Sequence, residues 1–518
     1  MSGRLLIFGI DGGTFNVLEP MWAEGRLPHL ARLRSEGASG VLHTVCPPLT
    51  APAWATFQTG LQPGRHGVFD FLAPPRRGYA RRLQNASALS APRLFDTLSA
   101  AGRTVGALNV PLTFPPRPVN GFVVPGMLTP TFADKHLYPS SLGAELRALG
   151  GYYVDMNPLY FEEGRDEGFV EELYRVAEAR KRAALHLWRS HQPDLFAVVF
   201  TGVDRLMHFF WDRPELVRDH YAWLDATLGE FLASAEEEGA TVFVLSDHGF
   251  GPAEAEIDLA EHLRRHGFLT QKAKRGPSPR RFLEAVAKLD LFDLRKRLPR
   301  RWRAAARGQV MERLSVFASV DWQRTSIFPG TATQYGVYLN VAGREPEGIV
   351  SRADYEKVRD DFIASLDELY PGLTARALRR EEVYHGPFLD DAPDVYLPLW
   401  EDGVRLREFS DDPAVAPRRR RPGEHRREGI FFARGPRVAA GAAPEQATLA
   451  DVYPTATYLM GEALPTGLDG RLLTEIVAPE ALAKAPPTYR DYDVGGAGYA
   501  DGEDADVRAR LEGMGYLG

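Results

Sequence analysis

The chain has 518 residues, more than one ordinary domain, which predicts a large core with insertions or a second domain. Hydrophobic residues make up 44% and charged residues 25% of the chain, as in ordinary globular proteins, and the formal net charge of −7 argues against specific nucleic-acid binding. The single cysteine, Cys46, excludes an internal disulfide. Without a signal-peptide pattern or a long apolar span, we expect a cytoplasmic protein that has no transmembrane segment.

Short, continuous apolar runs along the chain are typical of parallel strands that are covered on both faces. These predicted strands span residues 5–10, 104–108, 195–200, 241–245 and 429–433. Helical patterns lie between them, at residues 28–36, 91–101, 171–189 and 214–237. This alternation predicts an α/β fold with a doubly wound, mostly parallel sheet that is sandwiched by helices.

One segment, residues 264–307, breaks this pattern. It contains fifteen Lys or Arg residues against three acidic ones, and its apolar residues recur at roughly helical spacing. We interpret it as a basic, helical insertion that forms a cap, with the apolar stripe packed on the core. The alternative is a surface that contacts an anionic substrate or makes peripheral contact with a membrane.

The predicted organisation therefore has four parts. Residues 1–260 are the first part of the α/β core, 261–350 the basic helical insertion and cap, and 351–485 the second part of the core. Within the insertion, residues 335–340 are predicted to form a strand that a turn follows. Residues 486–518 form a Gly- and Asp-rich tail with a short docking helix at 507–512.

Acidic residues and a histidine follow two of the predicted strands. Asp11 ends the first strand before two glycines, which allow a sharp turn and a close approach to a cation or a phosphate. Its alternative role is to cap the next helix. Asp247 and His248 directly follow the strand at 241–245. An adjacent acid and imidazole are costly to bury at a strand end unless a charge or a metal satisfies them, so this pair is the more specific signal.

Four further ligands are predicted elsewhere in the chain. Asp204 and His208 are four residues apart and share one face of a helical turn, where they can bind one metal; the alternative is a salt pair or a buried histidine. Thr50 precedes a predicted helix, either as its N-cap or as a hydroxyl where a helix N-terminus favours a phosphoryl group. His425 lies just before the strand at 429–433. The seven side chains are enough for two cations, which predicts a two-metal hydrolase.

The ligand types and the neighbouring residues refine this prediction. Carboxylates and imidazoles suit zinc, with manganese as the alternative.

The four arginines at 418–421 are interpreted as a solvated loop rather than a phosphate-steering patch. His66 is interpreted as a structural histidine that orders its loop. Trp54 follows Thr50 by one turn and either stacks on a leaving group or fills the core, and core packing is favoured.

In order, spacing and context, these motifs resemble the alkaline phosphatase superfamily, and within it the type I phosphodiesterase/nucleotide pyrophosphatase-like branch of predicted phosphohydrolases and phosphomutases. The resemblance extends from Asp11 to the segment Asp451-Val452-Tyr453-Pro454-Thr455. It implies an alkaline phosphatase-like core and a phosphoric-ester hydrolase whose nucleophile, Thr50, forms a phospho-threonine. The metal ligands that it implies are Asp11, Thr50, Asp247 and His248 for one ion, and Asp204, His208 and His425 for the other.

One position departs from the family pattern. Nucleotide pyrophosphatases carry an asparagine that contacts a phosphoryl oxygen after a His-Gly-x-x-Asp stretch, whereas here His66-Gly67-Val68-Phe69-Asp70 leads to Phe71. An apolar ring can accommodate the second ester group of a diester, so we expect diester hydrolysis to exceed monoester hydrolysis. Asn109 is the candidate to supply the missing amide.

Two alternatives stay open. A phosphomonoesterase or a phosphomutase would use the same metal centre. The pocket for the leaving group, and not the metal centre, distinguishes these enzymes from a phosphodiesterase. A non-catalytic, metal-stabilised protein that binds an anionic ligand is the alternative of another class, although Thr50 argues against it because pure binding needs no nucleophile. The expected partner of the enzyme is a small phosphorylated substrate.

Overall fold

The computed structural model describes residues 3–75, 79, 82–89, 91–161, 164–272, 317, 319–407, 421–492 and 504–514. Its strands are β1 (Leu5–Ile10), β2 (Ala38–His43), β3 (Val105–Leu108), β4 (Gly121–Val124), β5 (Leu195–Phe200), β6 (Thr241–Leu245), β7 (Gly249–Pro252), β8 (Ala255–Ile257), β9 (Ile327–Pro329), β10 (Gly336–Leu339), β11 (Leu378–Arg379), β12 (Val395–Tyr396), β13 (Val404–Leu406), β14 (Gly423–Arg426), β15 (Glu428–Arg434), β16 (Leu464–Pro465) and β17 (Tyr489–Arg490). Its α-helices are α1 (Phe15–Ala23), α2 (Pro28–Glu36), α3 (Thr50–Thr59), α4 (Pro63–His66), α5 (Leu94–Ala100), α6 (Leu142–Ala148), α7 (Asp166–His191), α8 (Gly202–Phe210), α9 (Pro214–Glu237), α10 (Leu259–Arg265), α11 (Tyr355–Ser365), α12 (Arg380–Val383), α13 (Leu449–Leu459), α14 (Pro479–Lys484) and α15 (Asp504–Gly513).

Seven strands form the central sheet, in the order β2-β15-β6-β1-β5-β3-β4. β1 pairs in parallel with β5 and β6, and β3 pairs in parallel with β4 and β5. The α/β fold class with a mostly parallel sheet is therefore confirmed. The parallel orientation predicted for residues 429–433 is wrong, because β15 runs antiparallel between β2 and β6. A buried apolar run reports that both faces of a strand are covered but carries no information on its direction.

Alternate residues of the central strands pack on opposite faces of the sheet, as the pleat of a strand requires. On β1, Leu6 and Phe8 belong to the first core cluster, together with residues of α2, α7, α8 and α9. Leu5 and Ile7 belong to the second core cluster, together with residues of α3, α5 and α13. Helices thus cover both faces, which explains why the central strands are apolar throughout.

A second sheet has the order β11-β12-β10-β9 and is antiparallel throughout. Its buried cluster includes Val337 and Leu339 of β10, Phe362 of α11 and Leu263 of α10. β10 is the strand that was predicted at 335–340. This sheet takes strands from both sides of residue 350, where the predicted boundary between insertion and core was drawn. Most of the basic segment, from residue 273 to residue 307, lies outside the described residues, so its helical cap stays a prediction.

The helix predicted near the end of the chain is present as α15. Its residues Val507 and Leu511 are buried in the first core cluster. Arg510 donates hydrogen bonds to the backbone carbonyls of Thr129 and Pro130. In the part of the chain that the structure describes, no helix is long and apolar enough to cross a bilayer.

Asp394 connects the second sheet to the helix beside it. Its carboxylate accepts hydrogen bonds from Arg344 at 2.6 and 2.7 Å, from the Tyr355 hydroxyl at 2.6 Å and from the backbone N–H of Leu339 at 2.7 Å. Burial opposes ionisation, but the hydrogen bonds and charge of Arg344 hold the pKa of Asp394 below its usual range. The charged carboxylate therefore stabilises the folded chain at neutral pH.

We expect Asp394→Ala to lower the free energy of unfolding at pH 7 by about 3 to 5 kcal/mol, because it leaves buried cationic groups without their anion. A depressed pKa gives stability that is present above the unfolded value and lost as pH falls, so the difference should shrink below about pH 4. Urea unfolding at several pH values measures it. Asp361→Ala, which removes an exposed pair with Lys357 that solvent screens, should cost far less. Equal losses in the two variants would contradict the prediction.

Candidate metal centre

Asp11 and the Asp247-His248 pair lie at the carboxyl ends of the adjacent strands β1 and β6. Because these strands are parallel, their carboxyl ends meet at one edge of the sheet, where α/β proteins bind ligands. The backbone N–H of Gly12 donates to Asp247 Oδ1 at 3.1 Å. Gly12 has φ of 74°, a left-handed conformation that glycine adopts without steric cost. The turn after β1 is thereby tied to the end of β6.

The antiparallel strand β15 and the preceding β14 bring His425 to the same edge. β14 pairs antiparallel with β7, with His425 opposite Phe250, and β15 then continues along β6. His425 consequently lies beside His248, and the two rings stack with their centroids 3.6 Å apart. Two histidines that are far apart in the sequence become neighbours because of this antiparallel pairing.

Thr50 is the first residue of α3, and the N-cap is Leu49. The alternative role of Thr50 as N-cap is therefore wrong, because the N-cap is the residue before it. The Thr50 side chain is not used to cap the helix. Thr50 Oγ1 lies 3.2 Å from His248 Nε2, and the threonine is fully buried. At this position the positive end of the helix dipole favours negative charge beside the hydroxyl.

Asp11, Asp247 and His248 form the first ligand group. One ligand atom of each lies within 4.8 Å of the others, and His248 Nε2 is 3.7 Å from Asp11 Oδ1 and 3.3 Å from Asp247 Oδ2. Among the described residues, both oxygens of Asp11 and Oδ2 of Asp247 are buried without a hydrogen-bond partner. The helix-cap role of Asp11 is wrong, because Thr14 caps α1. Burying a carboxylate oxygen without a hydrogen-bond partner costs free energy. A divalent cation fits the group because it would bind these oxygens.

Asp204, His208 and His425 form the second ligand group. Asp204 and His208 share one face of α8, as predicted, with Asp204 Oδ1 3.4 Å from His208 Nε2. His425 Nε2 is 3.2 Å from Asp204 Oδ1 and 2.9 Å from His208 Nε2. Asp204 and His425 also lie within 4.8 Å of His248, measured between ligand atoms, so the two groups adjoin. The structure thus brings together all seven of the predicted ligands.

Each of the three histidines has its Nδ1 atom beside a backbone carbonyl oxygen. These distances are 3.1 Å from His248 to Gly249, 2.9 Å from His425 to Pro48 and 3.4 Å from His208 to Gly423. If Nδ1 of His248 and His425 carries the proton and donates to the carbonyl, the lone pair of Nε2 points into the site. That tautomer is the one that a metal ligand requires. Nδ1 of His208 instead has Arg421 Nη2 as its nearer partner, at 2.6 Å, and a guanidinium only donates.

Burial sets the charge state of the site. It raises the pKa of Asp11 well above its usual range, and the negative charges of Asp247 and Asp204 raise it further. It also raises the pKa of Asp247. The pKa values of His208 and His248 are lowered well below the usual range, first by burial, which keeps both rings neutral at physiological pH. Neutral imidazoles and crowded carboxylates are the ligands that a cation stabilises.

The sequence did not identify three further charged residues of the site. Arg205 donates to Asp204 at 2.8 Å. Arg421 is only 7% exposed, so its interpretation as part of a solvated loop is wrong; the arginines at 418–420 lie outside the described residues. Glu424 offers a carboxylate oxygen within 4.8 Å of the second group's histidines. In the sequence, only its position next to His425 indicated that Glu424 could belong to the site. The buried pairing of β14 shows that its side chain reaches the second ligand group.

The side chains predicted to contact substrate lie within the packing of the core. Phe71 is fully buried in the first core cluster, and Trp54 is fully buried in the second, where it contacts Phe57 edge to face. The amide of Asn109 donates to the backbone carbonyl of Val199 at 2.8 Å. These contacts give each side chain a structural role, as favoured for Trp54.

His66 also has structural partners. Its Nε2 lies 3.0 Å from the hydroxyl of Thr56, and its Nδ1 accepts a hydrogen bond from the backbone N–H of Val68 at 3.1 Å. Burial lowers the pKa of His66 to about 3, so the ring is neutral. The interpretation of His66 as a residue that orders its loop agrees with these contacts.

Solved structures share the fold at low sequence identity. Human ectonucleotide pyrophosphatase/phosphodiesterase 5 aligns with a TM-score of 0.52 and 14% identity, over 90% of this chain and 97% of that chain. An inactive threonine-to-alanine variant of the murine protein, in complex with AMP, aligns with a TM-score of 0.54 and 13% identity. The alignment covers 92% of this chain and 100% of that chain. Phosphonoacetate hydrolase from Sinorhizobium meliloti 1021, in complex with phosphonoacetate, aligns with a TM-score of 0.57 and 16% identity. The alignment covers 89% of this chain and 96% of that chain.

Comparison of the sequence with curated proteins gives no match. The profile of a protein family, in contrast, matches residues 5–425, which include β1, both ligand groups and Thr50. That family is described as type I phosphodiesterase / nucleotide pyrophosphatase, and its members hydrolyse phosphoric ester bonds. The chain therefore belongs to the type I phosphodiesterase/nucleotide pyrophosphatase family.

Proposed function

We propose that this hydrolase is a phosphodiesterase with a two-metal centre and a phospho-threonine intermediate. The observation that carries the proposal is the position of Thr50. Its hydroxyl lies at a helix N-terminus, 3.2 Å from His248 and next to two adjoining groups of buried ligands. Neither the capping of α3 nor the packing of the core requires a hydroxyl at this point.

The first ligand group, with Thr50, would hold one cation and the second ligand group would hold the other. Zinc suits carboxylate and imidazole ligands, and manganese is the alternative. When bound, a pair of divalent cations lowers the pKa of a hydroxyl and offsets the negative charge that develops on phosphate oxygens. The buried, unpaired oxygens of Asp11 and Asp247 support this assignment.

The chain's own residues then carry out two displacements at phosphorus. Thr50 Oγ1 loses its proton and attacks, so that a new P–O bond forms to Thr50 while the P–O bond to the leaving group breaks and the departing oxygen takes up a proton. The N-terminus of α3 favours the negative charge of the bound phosphoryl group. Water then attacks the phospho-threonine, and breakage of the Thr50 Oγ1–P bond restores the hydroxyl.

Two structural relatives support this proposal. The inactive murine variant differs by a threonine-to-alanine change and binds AMP, which is the behaviour expected when a nucleophile is removed and the binding site is kept. Phosphonoacetate hydrolase, which binds phosphonoacetate, shows that the fold accepts a second class of small phosphorus ligand. We infer a small phosphorylated substrate for this chain as well, and a cytoplasmic location in line with its single, partly buried cysteine.

The choice of ester is the second part of the proposal. The family description favours a diester, whereas Phe71 lies in the core and gives no support for a leaving-group pocket. A phosphomonoesterase or a phosphomutase on the same scaffold is the second candidate, favoured by the additional cation, Arg421, beside the ligands.

We expect bis-p-nitrophenyl phosphate to be hydrolysed faster than p-nitrophenyl phosphate, and both activities to fall at least about a hundredfold after chelation of metal. Turnover should return when zinc or manganese is added back, and the two metals are compared at equal occupancy. A reversed preference would establish the monoesterase or mutase. Tight metal binding without turnover of either ester would establish the non-catalytic binding protein.

A further inference from the structure

Arg205 lies between a ligand of the second group and another buried carboxylate. It follows Asp204 on α8, and its side chain is buried. Its Nη1 atom donates to Asp204 Oδ2 at 2.8 Å, and its Nη2 atom donates to Asp155 Oδ2 at 2.9 Å. One planar guanidinium therefore holds two buried carboxylates through charge-assisted hydrogen bonds, which are the strong class.

Asp155 anchors the guanidinium from the side opposite to the ligand group. It lies between α6 and α7, and its Oδ1 atom accepts a hydrogen bond from the backbone N–H of Met156 at 2.9 Å. Burial opposes ionisation of this carboxyl, but the charge of Arg205 and of two further arginines holds the pKa of Asp155 below its usual range. Asp155 is therefore charged at neutral pH. Separating a buried ion pair of this kind is costly, so Arg205 stays fixed beside Asp204.

The two oxygens of Asp204 consequently have different surroundings. Oδ1 is 3.4 Å from His208 Nε2 and 3.2 Å from His425 Nε2, so it faces the other members of the second ligand group. Oδ2 accepts from Arg205. A cation that bound both oxygens would have to share Oδ2 with the guanidinium and lie close to its positive charge, which repels it. Asp204 is therefore arranged to offer one oxygen to a metal.

The number of donor atoms distinguishes the two candidate metals, because zinc and manganese carry the same charge. One oxygen of Asp204 and one nitrogen from each of the two histidines give three protein donors. Catalytic zinc sites have three protein ligands and one open position. Manganese suits an octahedral set that is rich in oxygen, and a carboxylate that binds through both oxygens enlarges such a set.

We propose that Arg205, anchored by Asp155, is a positioning residue that restricts Asp204 to binding through one oxygen. In this way it makes the second ligand group select a four-coordinate cation such as zinc over a six-coordinate one such as manganese. The inference rests on the proposed function and adds the residue that sets the choice of cation at one of its two sites.

The test titrates metal-free wild type and metal-free Arg205→Met with zinc alone and with manganese alone. The ratio of the Kd for manganese to the Kd for zinc should fall about tenfold or more at the second ligand group, because Asp204 can then bind through both oxygens. The first ligand group is an internal reference, and its ratio should not change. With cobalt(II) in the second group, the visible absorption should weaken in the variant as the coordination number rises.

The ratio separates this role from two simpler ones. Loss of a nearby positive charge alone would raise the affinity for both divalent cations equally, and a structural defect alone would lower both. Arg205→Lys should give an intermediate ratio, since one ammonium group cannot donate to two carboxylates as a planar fork does. Arg213→Met is the matched control, because it removes an exposed arginine just after the same helix, where it pairs with Asp166 at 2.7 Å. Its ratio should equal that of wild type.

A double variant guards against misfolding. Arg205→Met combined with Asp155→Asn removes both charges of the pair, so no carboxylate at position 155 is left buried without its cation, and the ratio should fall as far as in Arg205→Met. A ratio within about twofold of wild type in both variants would overturn the inference. Failure of the proposed function gives a different result, because wild type would then turn over neither ester while the change in the metal ratio could still be measured.

Discussion

Replacing Thr50 by alanine should abolish turnover while both metals are retained. We expect kcat to fall by a factor on the order of 10⁴ to 10⁶, because the covalent step has no other nucleophile. Thr50 would contribute one ligand among the several of its group, so zinc content should change little. After an acid quench, mass spectrometry should find phosphate on Thr50 in wild type that has been mixed with substrate and none in the variant.

Two further variants make this result specific. Thr50→Ser keeps a hydroxyl at the start of α3 and should retain a measurable share of activity. Thr59→Ala removes a buried hydroxyl from the other end of the same helix, where it donates to the Ala55 carbonyl at 2.7 Å, and should leave phosphorylation of Thr50 intact. Near-normal turnover in Thr50→Ala would rule out covalent catalysis by this residue and leave direct attack by water.

Asp11→Asn should have opposite effects on function and on the stability of the metal-free protein. Loss of the carboxylate should weaken metal binding by about a hundredfold or more and reduce turnover accordingly. Without metal, however, the variant should be more stable than wild type, because burial and the charges of Asp247 and Asp204 oppose ionisation of Asp11. Titration with zinc and thermal unfolding in the presence of chelator measure the two effects.

The sign of the pH dependence follows from the same carboxylate. The pKa of Asp11 is raised in the folded chain, so the folded state retains a proton that the unfolded state loses, and metal-free wild type loses stability as pH rises above about 4. The advantage of Asp11→Asn should therefore grow with pH. Asp225→Asn is the matched control for zinc binding, since Asp225 is also buried with a raised pKa but accepts from the backbone of His29 and Leu30, away from both ligand groups. If Asp11→Asn bound zinc as wild type does, Asp11 would not be a ligand.

The sequence by itself determined the local features of this protein. Burial on both faces makes a strand apolar throughout, so β1, β5 and β6 could be predicted from their runs, and the ends of those strands indicated Asp11 and Asp247. The spacing of Asp204 and His208 required no tertiary information either, because helix geometry alone places residues four apart on one face.

Tertiary structure alone decided how these features meet. The direction of β15 depends on its pairing with β2 and β6, which are distant in sequence, and an apolar run is the same for either direction. That pairing brings His425 onto His248. It was also the fold that buried Arg421 beside His208 and Phe71 in the core. Charge and apolarity are properties of a residue, whereas burial depends on which distant segments of the chain pack over it, so only the assembled fold could determine these positions.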